Sequence, residues 1–342
     1  MFIKELSIKE RFLNKLYRGY KNIEMNSKYF LYKNQVPLFL RLEMVNVCNS
    51  KCIFCSSHLI KDPVPAFLKD DYFYKAVDEF KGAKGRNISL NSIRGEMFID
   101  PKILDRLRYI KNLDFEFVFC YTNGTLLHKF DINEILNSGL TEMHISIAPL
   151  IEEIYTKIYV NKKYKQLLEN LRNLLKTFNE SREKTVKKIW IEFRSDRPLS
   201  ECLLTPDYLE YISPYVTNDI IIGALTKFDS MNGTIKEEDL LPGMEIENDE
   251  TSNMSFFPCA NSSSIVIKPT GDVKICGCRY LIEGHDDEFL LGHIKNNTII
   301  ELYNSDIVRK MKIKFILNGQ LGLCRKCTGY GVYPFQFAQR LS

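Results

Sequence analysis

What this sequence lacks narrows the field first. It has no apolar run of about eighteen residues, the length a helix needs to cross a bilayer. Its opening, Met1-Phe2-Ile3-Lys4-Glu5-Leu6, has none of the continuous apolar stretch of a secretory signal. A surplus of either charge sign is missing too. The 47 Lys and Arg stand against 43 Asp and Glu, and the resulting +4 is too even for a nucleic-acid or anionic-membrane surface. The basic run from Arg182 to Lys188 reads as a solvated helix end. The expected protein is cytoplasmic, with no nucleic-acid and no membrane partner.

What is present is a 342-residue chain, 45% hydrophobic, enough for one large core or two smaller ones. Its ten cysteines, in a reducing compartment, read as metal ligands, catalytic thiols or core filler rather than bridges. Eight of them cluster, whereas Cys120 and Cys202 stand alone in apolar or mixed surroundings that favour buried, inert thiols. The densest cluster is Val47-Cys48-Asn49-Ser50-Lys51-Cys52-Ile53-Phe54-Cys55-Ser56. Iron–sulfur cubanes usually take four thiolates, so a local triplet leaves one iron open to a cofactor. Zinc normally draws on two ligand pairs with a longer linker between them, and His58 is the only further ligand nearby.

This CxxxCxxC triplet, with Phe54 directly before the third cysteine, resembles the signature of the radical S-adenosylmethionine (SAM) enzymes. The resemblance implies that Cys48, Cys52 and Cys55 hold a 4Fe-4S cluster. Its open iron would be chelated by the amino and carboxylate groups of SAM, with Phe54 beside the cofactor.

Along the chain, residues 1 to about 36 read as one amphipathic helix, with Leu6, Phe12, Leu13 and Leu16 at helical spacing, and a connector. A strand over 36–44 runs into the cysteine loop. Further strands are expected at 88–93, 115–121, 143–147, 189–193 and 219–224. Helices are expected at 66–80, 101–111, 129–138, 164–178 and 206–212. Six βα-type units argue for an α/β fold with parallel strands, which periodicity alone leaves as an open partial barrel or a doubly wound sheet. The resemblance selects a partial (β/α)6 barrel over 37–225, with the cluster loop at the C-terminal face of the strands.

Four later positions carry the same resemblance. Arg94-Gly95-Glu96-Met97 stands where the family has Gly-Gly-Glu-Pro, and departs from it at Arg94 and Met97. Glu96 would accept a hydrogen bond from the SAM ammonium, and Gly95 would let the backbone approach closely. Tyr121-Thr122-Asn123-Gly124-Thr125 resembles the family's Thr-Asn-Gly turn, although an ordinary Asn-Gly turn has the same letters. Ser146 resembles the polar position that contacts the SAM ribose or carboxylate; Ala148-Pro149 follows where the family often has aspartate. Arg194 closes the fifth strand, where its guanidinium would fork onto the SAM carboxylate or make a plain ion pair.

The segment 226–255 is acidic and weakly periodic, a linker or substrate-side loop. From 256 onward a small α+β unit is expected. It comprises Phe257-Pro258-Cys259, a hairpin turning at Pro269-Thr270-Gly271-Asp272 and ending in Cys276-Gly277-Cys278, a helix over 299–317, and Cys324-Arg325-Lys326-Cys327. The hairpin brings Cys259 near Cys276, and the knuckle supplies Cys324 and Cys327. This resembles the auxiliary-cluster region of the SPASM/twitch subgroup, including Leu291-Gly292-His293-Ile294 and the run from Ile300 to Asn304. Five cysteines here, against about seven in a full SPASM region, imply one auxiliary 4Fe-4S cluster. A structural zinc held by four thiolates is the other reading of the same spacing. Cys278 is spare: an alternative ligand, a reactive thiol or an inert neighbour.

The resemblance implies reductive cleavage of SAM to a 5′-deoxyadenosyl radical, followed by hydrogen abstraction from the substrate. The favoured outcome is oxidation of a hydroxylated carbon of a sugar, cyclitol or related small molecule, with the auxiliary cluster as electron relay. Epimerisation is the neighbouring reading, with Cys278, Cys120 or Cys202 as hydrogen donor. Peptide modification ranks lower, because the N-terminal segment is short for a leader-binding domain. A reductase such as flavodoxin or ferredoxin would supply the electron. Outside this class stand a catalytically silent iron–sulfur or zinc protein and an electron-transfer module.

Overall fold

The computed structural model describes residues 35–59, 64–90, 94–231, 233–247, 260–276, 289–318 and the two cysteines 324 and 327. Within them six parallel strands form the frame: β1 (Phe39–Leu42), β2 (Asn87–Leu90), β3 (Phe117–Thr122), β4 (Glu142–Ile147), β5 (Lys188–Arg194) and β6 (Ile220–Leu225). The crossovers carry α1 (Asp70–Gly82), α2 (Ile103–Asn112), α3 (Ile132–Leu136), α4 (Glu152–Tyr159), α5 (Tyr164–Glu180), α6 (Leu199–Cys202) and α7 (Pro206–Tyr211). The strands lie side by side in sequence order and do not close on themselves, which is the partial barrel expected.

Strand parity sets what each side of the wall carries. Val118, Cys120, Met143, Ile145, Ile147, Ile189, Ile191 and Phe193 are buried in the core under the helices. That core is completed by the apolar faces of the crossovers, such as Phe73, Ala76, Val77 and Phe80 of α1. The alternate positions Phe117, Phe119 and Tyr121, Glu142, His144 and Ser146, and Trp190, Glu192 and Arg194 fall on the other, inner face. There they meet across strands in the registers Tyr121↔His144, His144↔Trp190 and Ser146↔Glu192. An inner face this polar and aromatic is not what a barrel filled with aliphatic side chains would show.

The helix expected over 129–138 is only α3, because Asp131 accepts a hydrogen bond from Asn133 N and starts it late. Helices α4 and α6 were not expected. The single helix expected over 299–317 is two, α8 (Ile299–Tyr303) and α9 (Asp306–Asn318). Asn304 separates them, its Nδ2 donating to both Ile300 O and Gln35 O and so competing with the backbone for carbonyl partners.

The acidic segment after β6 is not a plain linker. It makes a short parallel pair, β7 (Lys227–Phe228) and β8 (Glu245–Ile246), and buries Phe228, Ile235, Leu240 and Met244. Gly243, at φ +93°, lets it pass the loop after β5: a β-carbon there would lie 1.9 Å from Asp196 O.

The C-terminal hairpin forms as expected, β9 (Ser264–Ile267) antiparallel to β10 (Asp272–Lys274), with β11 (Leu290–His293) beyond it. It is not a sheet apart. β9 pairs in parallel with β1, Leu40 opposite Ile265, so one nine-stranded sheet runs from β11 to β6. Because Lys274 lies opposite Val266, which lies opposite Arg41, Cys276 sits toward the end of the sheet where β1 begins. The first cysteine loop leaves β1 at the other end. Residues 1–34 of the N-terminal helical segment expected over 1 to about 36, residues 91–93 of the second expected strand, the region around Cys259 and the segment bearing Cys278 lie outside the described residues.

Candidate active site

The first cysteine loop is held by the end of α4. Lys51 N donates to Tyr159 O at 3.1 Å and Ile53 N to Ile158 O at 3.0 Å, which occupies carbonyls that a helix terminus leaves without intrahelical partners. Asn161 Nδ2 adds bonds to Ser50 Oγ (2.8 Å) and Asn49 O (3.2 Å). Asn49 in turn ties the loop to the turn after β3: Asn123 Nδ2 donates to Asn49 Oδ1 at 2.8 Å, and Asn49 Nδ2 to Thr125 Oγ1 at 2.7 Å. Asn123 Nδ2 also lies 3.8 Å from Cys48 Sγ.

Glu96, 3% exposed, joins the loop after β2 to the same turn. Its carboxylate accepts from Thr122 Oγ1 at 2.7 Å, Asn123 N at 2.8 Å and Phe98 N at 3.3 Å. Burial pushes its pKa up, while these three donors act in the opposite direction. The close approach expected at Gly95 is present, since a β-carbon there would lie 1.8 Å from Val45 O.

On the opposite wall, Arg194 Nε donates to Ser146 Oγ at 3.0 Å, and Ser146 Oγ is 2.9 Å from Tyr159 OH. Arg194 also pairs with Glu192 at 2.9 Å. Arg194 therefore makes the plain ion pair and also lines the cavity. Phe54 stacks on Phe228 of β7 at 5.3 Å and meets Tyr159 edge-on at 5.6 Å.

These pieces enclose one cavity of about 410 Å³. Its walls include Cys48, Cys52, Cys55, Phe54, Glu96, Asn123, Ser146 and Arg194, all eight of the residues expected around the first cluster and SAM. Sequence reasoning missed Tyr159 and Leu225 as lining residues, named Tyr121 and Thr122 only within the turn after β3, and reached Lys227, Phe228, Asp229 and Met231 only as part of a linker or substrate-side loop. The polar alternation of β4 and β5 was the available signal for the inner face. Nothing local marks Tyr159 or Phe228.

The donor chemistry fits an iron–sulfur cluster. The described residues contain no three His, Cys, Asp or Glu side chains gathered as a single ion requires. The three thiols share instead the wall of a wider cavity, as suits a cluster in which each thiolate binds a different iron. Burial, with the neighbouring Glu96 and Cys55 charges adding to it, pushes Cys48 up to about 12. Burial, then Cys55 and Cys48, hold Cys52 well above the ordinary thiol range. Such thiols ionise only when a metal replaces their protons.

The second cysteine group is partly described. Cys276 is half-buried, while Cys324 and Cys327 are buried in the core and joined by a Cys327 N to Cys324 O hydrogen bond of 3.1 Å. Of the expected hydrogen donors, Cys278 lies outside the described residues, and the other two need correction. Cys120 is fully buried on the helix side of β3, with its thiol pushed far up by burial, and Cys202 is equally buried, 3.3 Å from Ser195 Oγ. Strand parity turns Cys120 away from the cavity, and neither thiol lines it.

Comparison with known proteins divides the chain in the same way. Residues 42–186 match the Radical SAM superfamily, and residues 259–328 match the SPASM iron-sulfur cluster-binding domain. A probable GTP 3′,8-cyclase of Saccharolobus islandicus is 26% identical over 140 residues, 40% of this chain and 43% of the relative. One of Methanococcus maripaludis is 27% identical over 127 residues, 37% of this chain and 41% of the relative. The chain thus spans about two fifths of the length of the curated relatives it matches. Among solved structures, BtrN in complex with AdoMet and 2-DOIA is similar at a TM-score of 0.54 and 13% identity, over 88% of this chain and 99% of that one. Streptococcus suis SuiB bound to the precursor peptide SuiA is similar at 0.59 and 13%, over 91% and 73%. AdoMet-bound anSMEcpe follows at 0.53 and 15%, over 89% and 91%. At these identities the likeness is one of fold.

Proposed function

Because this chain belongs to the radical SAM superfamily and carries a SPASM iron–sulfur region, we propose that it cleaves SAM reductively and oxidises a hydroxylated carbon of a small molecule such as a sugar or cyclitol. Cys48, Cys52 and Cys55 would hold the 4Fe-4S cluster, which together with SAM supplies a 5′-deoxyadenosyl radical. Cys259, Cys276, Cys324 and Cys327 would hold the auxiliary cluster that takes up the substrate's electron.

The single observation that carries this reading is the convergence of the three cysteines with Glu96, Asn123, Ser146 and Arg194 on one cavity. Glu96 offers carboxylate lone pairs to an ammonium, and its three protein donors keep it aimed. Arg194 and Ser146 present N–H and O–H groups to a carboxylate or ribose from the facing wall. The Phe54–Phe228 stack closes one side against water.

The test is anaerobic reconstitution with iron and sulfide analysis, EPR and a 5′-deoxyadenosine assay, on the wild type and on a Cys48→Ala/Cys52→Ala/Cys55→Ala variant. About eight irons falling to about four, the sums for two cubanes and for one, with deoxyadenosine from the wild type alone, is the expected result. Zinc at the second site would remove the electron relay and with it the case for oxidation. A fully loaded wild type that makes no deoxyadenosine would sink the proposal. The relatives named as GTP 3′,8-cyclases put GTP among the substrates to assay.

A further inference from the structure

The three thiols of the first site do not have equal neighbours. Cys55 Sγ lies 3.2 Å from Ser57 Oγ, the shortest hydrogen-bond contact that a side chain makes with any of the three sulfurs among the described residues. Cys48 Sγ has Asn123 Nδ2 at 3.8 Å and Asn49 Oδ1 at 3.9 Å, and that amide is aimed first at Asn49 Oδ1, 2.8 Å away. Ser57 Oγ, by contrast, has no second hydrogen-bond partner among the described residues.

Local geometry puts the serine there. Cys55 N donates to Cys52 O at 3.0 Å, which closes the cysteine loop, and a single 3-10 turn, Ser56–Leu59, follows at once. The tight turn curls the chain back, and the side chain of residue 57 meets the sulfur two residues before it. Cys55 lines the cavity and Ser57 does not. The hydroxyl therefore reaches the sulfur from outside the cavity, where SAM and substrate do not compete for it.

In the free thiol, the Cys55 S–H donates to Ser57 Oγ. A thiolate bound to iron has no proton and only accepts, whereas a serine hydroxyl rotates to suit its partner and donates as readily as it accepts. Hydrogen bonds to the sulfurs are among the terms that set the reduction potential of an iron–sulfur cluster, beside its net charge and its exposure. A donor raises that potential. An electron added to the cluster puts more negative charge on sulfur, and a hydrogen bond to a more strongly charged acceptor is stronger.

We infer that Ser57 raises the reduction potential of the first cluster by donating its O–H to the Cys55 thiolate. The inference rests on the proposed binding of a 4Fe-4S cluster by Cys48, Cys52 and Cys55, and is independent of which substrate is oxidised. Ser57 acts through Cys55 and touches no reacting atom, so it is a positioning residue. Its effect falls on the step before SAM cleavage: an electron from an external reductase enters the cluster more readily with the hydroxyl present than without it.

The test is a redox titration of the anaerobically reconstituted full chain, read by EPR, on the wild type, Ser57→Ala and Ser57→Thr. The reduced-cluster signal whose shape changes on addition of SAM belongs to the first site, and the signal of the auxiliary cluster serves as an internal reference. In Ser57→Ala the ratio of reduced to oxidised first cluster at a fixed poise should fall about tenfold, which for a one-electron couple is about 59 mV toward more negative potential. The reference signal should stay in place, and Ser57→Thr, which keeps a hydroxyl, should titrate with the wild type. An unchanged potential in Ser57→Ala, a shift to more positive values, or an equal shift in Ser57→Thr overturns the inference. So does an equal shift of both signals, which would mark a change of the whole protein. Loss of the first cluster's iron in Ser57→Ala would make the hydroxyl an assembly contact and overturns it as well. A wild type with no signal that responds to SAM removes the cluster reading itself, and that failure shows before any variant is compared.

Discussion

Glu43 shows how one side chain next to the cysteine loop sets a pH limit on the fold. It follows β1, is 1% exposed, and accepts a hydrogen bond from Arg94 N at 3.0 Å on Oε1, while Oε2 has no hydrogen-bond partner among the described residues. Burial pushes its carboxyl up to about 7, against the pull of the Arg94 hydrogen bond and of the Lys268, Arg94 and Lys274 charges. A folded value above the unfolded one means the folded state binds the proton more tightly. The stabilisation is then fully present below about pH 4.5 and lost as pH rises through about 7. The loss amounts to about 3 kcal/mol at most. Urea denaturation from pH 4.5 to 8.5 should show the wild type losing stability relative to Glu43→Gln across that window. Parallel curves would refute it.

The same scale explains why the first site was legible. Cys48, Cys52 and Cys55 declare themselves by spacing, and Glu96, Asn123, Ser146 and Arg194 were legible through their resemblance to family positions at or after strand ends, where a parallel α/β fold concentrates chemistry. Cys120 misled because a lone cysteine in an apolar run does not say which face of the strand it takes. A shift of one residue in β3 would exchange it with Tyr121.

At the scale of elements, the segment after β6 matters most to the cavity. β7 and β8 are two residues each, and their few backbone bonds would not hold them in place alone. Buried Phe228, stacked on Phe54, does so and places Lys227 and Asp229 in the cavity wall. Phe228→Ala should therefore raise the SAM dissociation constant about tenfold. That change corresponds to about 1.4 kcal/mol, the size expected when a stacked aromatic pair and some of its burial are lost. Equilibrium dialysis on anaerobically loaded protein would measure it, with circular dichroism confirming the fold, and an unchanged affinity would show that this segment does not close over the cofactor. In sequence the stretch reads as a linker or substrate-side loop without marking Phe228, since that is one apolar residue among acidic and polar ones. Helix α4 was passed over as well, although its last carbonyls hold the cysteine loop.

For the whole molecule, the decisive fact is that the C-terminal hairpin completes the barrel's own sheet. β9 pairs along the full length of β1, the strand that delivers the first cysteine loop, and Ile265 and Ile267 are fully buried in the common core. Removing residues 256–342 would bare that edge and the apolar surface under it. A fragment of residues 1–255 is expected to be insoluble or to melt far below the full chain, as soluble yield and thermal unfolding would show. A fragment that keeps the full chain's melting temperature would mean the two regions fold independently. The joined sheet also sets the first cysteine loop and Cys276 at opposite ends of one wall.

By itself the sequence determined the ligand types, the order of the six parallel strands, and the strand ends that bear polar groups. Each of these follows from the spacing of near neighbours, through the two-residue period of a strand and the 3.6-residue turn of a helix. Only the tertiary structure decided that Tyr159 and Phe228 wall the cavity, that Cys120 faces the helices, that His144 stacks between Tyr121 and Trp190, and that β9 joins β1. Those outcomes depend on registers between segments far apart in the chain. Register is chosen by the burial of whole faces at once, so it cannot be read from any one stretch.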